Sequence, residues 1–311
     1  MVFSYDPVVA HLLETMAIEH PGSRSTANDI HALRAEVDLG CVALLSRLPD
    51  TPEVDVRRVL ISGESDDCLM ASWYRKKDSV PRSAVVYAHG GGMIAGSVDI
   101  YDPLIRQYVE LTGVPFLAVS YGVAPVAGAT GLSRDVFRAV LWVIEHAAEL
   151  GVDPARIAVM GDSGGGGVAA GAAIRARDAN VQLARQILIY PMLDDRNIVP
   201  NPALSDLALW TYDQNRIAWS AASPHDGPPS AYIAPARLED FAGLAPAFIE
   251  VGELDIFRDE SIVYASRLLQ AGVSCELIVQ AGIPHGAEWY DFGAVFSRRM
   301  IAERVRAIRS F

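Results

Sequence analysis

Ser163 stands between Gly161-Asp162 and Gly164-Gly165, directly after the apolar run Ile157-Ala158-Val159-Met160. A serine at the centre of G-x-S-x-G, on a strand that turns sharply into a helix, exposes its Oγ at the carboxyl end of a buried sheet. Glycine at 161 and 165 suits that turn, because the strained reversal leaves almost no room for a Cβ two positions either side of the serine. The following helix aims its first N–H groups at the serine, where negative charge develops in acyl transfer. Such a serine attacks carbonyl carbon, and it needs a base, an acid that orients the base, and donors for the oxyanion. In a chain with 25 glycines the bare pattern also fits a plain glycine-rich turn, so the partners decide.

The donors are expected from Gly91 and Gly92, in the loop His89-Gly90-Gly91-Gly92 after the buried strand Ala84 to Ala88, together with the N–H of Gly164. His89 itself reads as structural. In a serine hydrolase built on this elbow the acid and then the histidine follow the serine in the chain. Of the seven histidines, His11, His20, His31, His89, His146, His225 and His285, only the last two follow Ser163. His225 falls among prolines, whereas His285 lies in Gly282-Ile283-Pro284-His285-Gly286, past the last strand, and is taken as the base. The strand Ala247 to Val251 runs into Gly252-Glu253-Leu254-Asp255-Ile256-Phe257-Arg258-Asp259-Glu260. Asp255, just past the strand end, is taken as the acid, with Glu253 as the alternative. Asp259 and Glu260 read as first-turn residues of a helix reaching Ala271, where carboxylates stabilise an N-terminus without any catalytic role.

With these residues in place, the chain resembles the bacterial hormone-sensitive-lipase-like branch of the α/β-hydrolases over about residues 55–310. Tyr121 with Ala124-Pro125, Asp135, Trp142, Tyr190-Pro191 and Leu244-Ala245-Pro246-Ala247 add to the likeness. The resemblance implies a carboxylesterase acting on short to medium acyl chains. Ser163, Asp255 and His285 would form its triad and Gly91, Gly92 and Gly164 its oxyanion hole, with no metal or organic cofactor. The chain departs from the family at three places. Gly122-Val123-Ala124-Pro125-Val126-Ala127-Gly128 replaces an arginine-bearing Ala-Pro-Glu loop, Gly164 replaces an alanine, and Ala287 replaces a phenylalanine.

The elements that must position these groups follow from periodicity. Asp6 to Leu48 is helical, with Ile30, Leu33, Val37, Cys41, Leu44, Leu45 and Leu48 at three- and four-residue spacing and Asn28 or Asp29 as cap. Val54 to Ser62 and Leu69 to Arg75 alternate as two antiparallel strands. Ala84 to Ala88, Pro115 to Ser120, Ile157 to Met160, Gln186 to Tyr190, Ala247 to Val251 and Cys275 to Val279 are short, nearly continuous apolar runs, the mark of strands buried on both faces. Helical segments intervene, most clearly Leu132 to Leu150. The expected fold is therefore α/β, specifically an α/β-hydrolase fold: a mostly parallel sheet of about eight strands, flanked by helices, with a helical cap. Residues 1–50 are expected to be N-terminal helices contributing to the cap, 51–193 and 245–311 the two parts of the core, and 194–244 a cap insertion. That insertion holds a helix from Leu204 to Ala222, whose Trp210, Tyr212 and Trp219 suit an acyl pocket and ordinary packing equally.

Composition narrows the rest. With 311 residues, 51% of them hydrophobic, the chain can bury a large core. A formal charge of −12 argues against nucleic acid or an anionic membrane as partner. No apolar run is long enough for a membrane span, and Asp6, His11 and Glu14 interrupt any signal-peptide pattern, so a cytoplasmic protein is expected. Cys41, Cys68 and Cys275 lack metal spacing and read as reduced, mostly buried thiols. Gly90 to Ala95 and Gly164 to Ala169 also match the dinucleotide fingerprint G-x-G-x-x-A, but that reading leaves Ser163, Asp255 and His285 unexplained. A non-catalytic receptor on the same fold would normally lack a triad member, while amide, thioester and lactone hydrolysis use the same machinery. The expected partner is a small ester. Cys275 to Val279, as the last strand, is an edge suited to a homodimer, unless the final helix covers it.

Overall fold

The computed structural model describes residues 3–19, 29–62, 68–80, 82–126, 128–224 and 227–311. Helices α1 (Pro7–Glu19) and α2 (Ile30–Leu45) precede strands β1 (Val54–Ser62), β2 (Cys68–Lys76) and β3 (Ala84–Ala88). Then come α3 (Val98–Thr112), β4 (Phe116–Val119), α4 (Gly128–Glu145), the short α5 (Ala147–Leu150), β5 (Ile157–Asp162), α6 (Gly164–Asp178) and β6 (Arg185–Ile189). The chain ends with α7 (Tyr212–Ala222), β7 (Ala247–Gly252), α8 (Arg258–Gln270), β8 (Cys275–Gln280) and α9 (Val295–Arg309). The eight strands form one sheet in the order β1-β2-β4-β3-β5-β6-β7-β8. β2 runs antiparallel to both neighbours and every later pairing is parallel.

Of the continuous apolar runs, β3, β4, β5 and β7 have no exposed residue, as strands buried on both faces should. β8 departs from that expectation: it is mostly half-buried with Val279 exposed, because it ends the sheet and has a neighbouring strand on one side only. Successive side chains of β3 serve opposite layers. Val85 and Tyr87 pack with residues of α3 and α9, Val86 and Ala88 with residues of α4 and α6. Local signals set the helix ends. Ser97 accepts from Ile100 N–H to open α3, which closes at the left-handed Gly113, and Asp29 caps α2 by accepting from His31 and Ala32. The alternative cap, Asn28, lies outside the described residues.

Three further expectations need correction. The run Leu132 to Leu150 is not one helix, since α4 stops at Glu145 and α5 starts after His146. The helix expected from Leu204 covers only Tyr212–Ala222, because Thr211 and Gln214 form a reciprocal capping box that starts a new helix there. Residues 201–208 instead form turns closed on the carbonyls of Asn201 and Leu204. Cys68 is exposed, unlike buried Cys41 and half-buried Cys275, because it opens β2 at the end pair of the β1–β2 ladder, opposite Ser62.

Candidate active site

Three residues that each follow a parallel strand meet at the carboxyl end of the sheet. Ser163 sits between β5 and α6 at φ 56° and ψ −121°, a conformation held by its N–H donating to Ile189 O (2.9 Å) and its carbonyl accepting from Met192 N–H (3.0 Å). A Cβ on Gly161 would lie 2.2 Å from Gly165 O, and one on Gly165 would lie 2.2 Å from Ala88 O, so the two glycines are sterically required. His285, in the loop after β8, places Nε2 2.9 Å from Ser163 Oγ and Nδ1 2.6 Å from Asp255 Oδ2. Asp255 is fully buried past the end of β7, with Oδ1 accepting from Phe257 N–H. Tyr190 and Phe257 set the plane of His285, both meeting its ring edge-on, with centroids at 4.6 and 5.3 Å.

The competing residues have other tasks. Glu253 accepts from Gly282 N–H and so shapes the turn toward His285. Asp259 is exposed and pairs with Arg258. Glu260 is in the first turn of α8 as expected, but it is buried and accepts from Leu193 N–H, Asp194 N–H and the Asn197 amide, fixing residues 193–197 just past β6. His225 lies outside the described residues. His89 is buried and stacked on Tyr121 at 4.4 Å. Burial lowers its pKa to about 4, so it is neutral and its Nδ1–H donates to Gly90 O.

Gly91 and Gly92 form the facing wall. Both have positive φ, 111° and 59°. A Cβ on Gly91 would meet Ala95 O at 2.2 Å, and one on Gly92 would meet the Trp210 ring at 2.9 Å. Gly164 closes on this wall so tightly that a Cβ there would lie 2.4 Å from Met93 N and 2.9 Å from Gly92 Cα. Among the described residues the N–H groups of Gly91, Gly92 and Gly164 have no hydrogen-bond acceptor. Of the fingerprint glycines in Gly164 to Ala169, a Cβ on Gly164 would meet Met93 and Gly92 and one on Gly166 would meet Pro191, so both close on the protein's own backbone and side chains.

Beneath His285 lies a cluster that the sequence reading missed. Tyr190 donates to Glu288 Oε1 (2.8 Å), and fully buried Arg304 donates to Glu288 Oε1 and Glu250 Oε1, both at 2.6 Å. Asp162, next to Ser163, accepts from Tyr87 OH at 2.6 Å. Burial, with too few cations nearby, pushes the Asp162 carboxyl up to about 6 and Glu250 to about 7. Two signals were available: Glu250 interrupts an apolar strand, and Arg304 continues the four-residue spacing of Phe296, Met300 and Ile308. Among the described residues no group of His, Cys, Asp or Glu is arranged to hold a metal ion, and no helix is long and apolar enough to cross a membrane.

A family model described as the α/β-hydrolase fold matches residues 85–288. Carboxylesterase NlhH of Mycobacterium tuberculosis is 33% identical over 306 residues, spanning 90% of this chain and 88% of its own. Ethyl acetate hydrolase of Pseudomonas putida is 30% identical over 258 residues, 78% of each chain. The solved structure of a bacterial heroin esterase matches at a TM-score of 0.86 and 34% identity, covering 98% of this chain and 97% of its own.

Proposed function

This chain belongs to the α/β-hydrolase-fold family and is a carboxylic ester hydrolase, and we propose that Ser163, His285 and Asp255 perform its reaction through an acyl-enzyme. The observation that carries this reading is the unbroken line Ser163 Oγ, His285, Asp255, at 2.9 and 2.6 Å. With Nδ1–H donated to Asp255, Nε2 is the lone-pair nitrogen and accepts the Ser163 proton as Oγ attacks the ester carbonyl. The carbonyl electron pair moves onto oxygen, facing the unpartnered N–H groups of Gly91, Gly92 and Gly164. His285 then protonates the departing alcohol; in the second half it takes a proton from a water whose oxygen attacks the acyl carbon, and it returns that proton to Ser163 Oγ as the acyl–Oγ bond breaks, releasing the acid and restoring Ser163.

Trp210, which stands against Gly92, narrows the acyl side and favours short to medium chains. Contact of α2 with α7, and Tyr5 OH donating to Leu207 O (2.8 Å), support a cap made of the N-terminal helices and residues 194–244. Unpaired thiols suit a cytoplasmic setting. The outer position of β8 suits pairing with a second copy. The test is hydrolysis of a chain-length series of p-nitrophenyl esters by the wild type and by Ser163→Ala. Turnover should fall by about four to six orders of magnitude in the variant. Equal activity would show that the elbow is not the nucleophile.

A further inference from the structure

Helix α2 holds the oxyanion wall with two side chains one turn apart. Arg34 Nε donates to Ile94 O (2.5 Å) and its Nη2 to Ala124 O (2.7 Å), while Asp38 Oδ1 accepts from Gly96 N–H (2.7 Å). Residues four apart on a helix share a face, so one face of α2 grips the carbonyl before Ala95 and the N–H after it. Inside the loop, the N–H groups of Ile94 and Ala95 both donate to Gly91 O, at 3.0 and 2.9 Å. The peptide joining Gly91 to Gly92 is planar and trans, so its N–H points opposite to its C=O. Fixing Gly91 O on the Ile94 and Ala95 side therefore turns Gly92 N–H the other way. Ala124 N–H donates to Met93 O (2.9 Å), so Arg34 also cross-links two loops that are already tied together. α2 in turn packs on α7 of the insertion.

We propose that Arg34 and Asp38 are positioning residues that set the Gly92 donor from helix α2, making acyl-transfer rate depend on how the N-terminal helices are seated. This rests on the oxyanion role argued above. Neither side chain reaches the reacting atoms. Their loss should weaken stabilisation of the tetrahedral intermediate and leave ester binding nearly intact.

Arg34→Met, Asp38→Leu, Asp38→Asn and Ser163→Ala are compared with wild type using p-nitrophenyl acetate, with working sites counted by a phosphonate that titrates Ser163. Inhibition by a trifluoromethyl ketone, which forms a tetrahedral serine adduct, is set against its unfluorinated methyl ketone, which does not accumulate one. Per titrated site, Arg34→Met should lose about 10- to 100-fold in kcat with KM within about threefold, as expected when a donor is displaced rather than removed. Its Ki for the trifluoromethyl ketone should rise by a similar factor while that for the methyl ketone stays put. Asp38→Asn, which keeps an acceptor oxygen for Gly96 N–H, should recover most of what Asp38→Leu loses. An unchanged kcat per site overturns the proposal, as does a parallel shift of KM and both ketones, which would mark a purely structural role. If a variant yields no titratable sites, the remaining variants decide by the same ratio. Full activity in Ser163→Ala would instead sink the triad reading and this inference with it, whereas a dead Ser163→Ala beside an unaffected Arg34→Met would remove only the inference.

Discussion

On one side of the site Ser163, Asp255 and His285 each follow a parallel strand of a single sheet; on the other, Gly91 and Gly92 lie in a loop whose grip comes from a helix nearly sixty residues earlier in the chain. The first wall is fixed by the sheet's own backbone, as when Ser163 N–H continues the β5 and β6 pairing by donating to Ile189 O. The second wall has positive-φ glycines, no strand pairing of its own and tethers of side chain to backbone. On the proposed mechanism the difference separates roles: the sheet side would place the groups that transfer protons and form bonds, and the loop side would set how well charge is met when it appears.

Substitutions on the two walls should therefore differ in size. Asp255→Asn keeps the shape of the buried site but no longer holds Nδ1–H of His285, and kcat should fall by about 10⁴. A loss of only tenfold would mean that Asp255 does not control the tautomer. Gly164→Ala probes the seam between the walls. Its new Cβ would sit 2.4 Å from Met93 N, so the loop must retreat, and kcat should fall by roughly 10- to 100-fold while Ser163 remains open to phosphonate labelling. An unchanged kcat would show that the wall tolerates displacement.

A smaller effect concerns the buried charges behind the sheet side. The Glu250 carboxyl is raised to about 7 in the fold, so between its unfolded value and that pH the native state binds more protons than the unfolded chain. Stability contributed by this group is thus present at low pH and is lost as pH rises through about 7. Glu250→Gln cannot ionise and keeps an acceptor for Arg304. Relative to wild type, the variant should gain on the order of 1–3 kcal/mol between pH 5 and pH 8, read from urea unfolding at both. A difference that does not change with pH would show that Glu250 stays ionised throughout.

Which features could be read from the sequence follows from the same division. Strand ends are visible where apolar runs stop, and each residue of the proposed triad lies within a few positions of such a stop, so chain order and local pattern single them out. Glu260 reads as a first-turn residue of α8 and is one, yet its burial beneath Leu193 and Asn197 depends on where residues 193–197 fold back. The clamp on the oxyanion loop was illegible for that reason too. Arg34 and Asp38 look like any polar pair on an amphipathic helix until α2 is docked against residues 94–124. The helix expected from Leu204 failed at its start because apolar spacing runs through 204–212 while Thr211 and Gln214 restart the hydrogen bonding.

The central claim is that Ser163 carries the acyl group, and the most direct measurement is rapid acid quench of enzyme mixed with excess p-nitrophenyl acetate, followed by peptide mass mapping. Acetyl on the peptide containing Ser163, formed before steady state and absent in Ser163→Ala, is the expected result. Steady turnover with no acetylated peptide, or with acetyl on another residue, would contradict it.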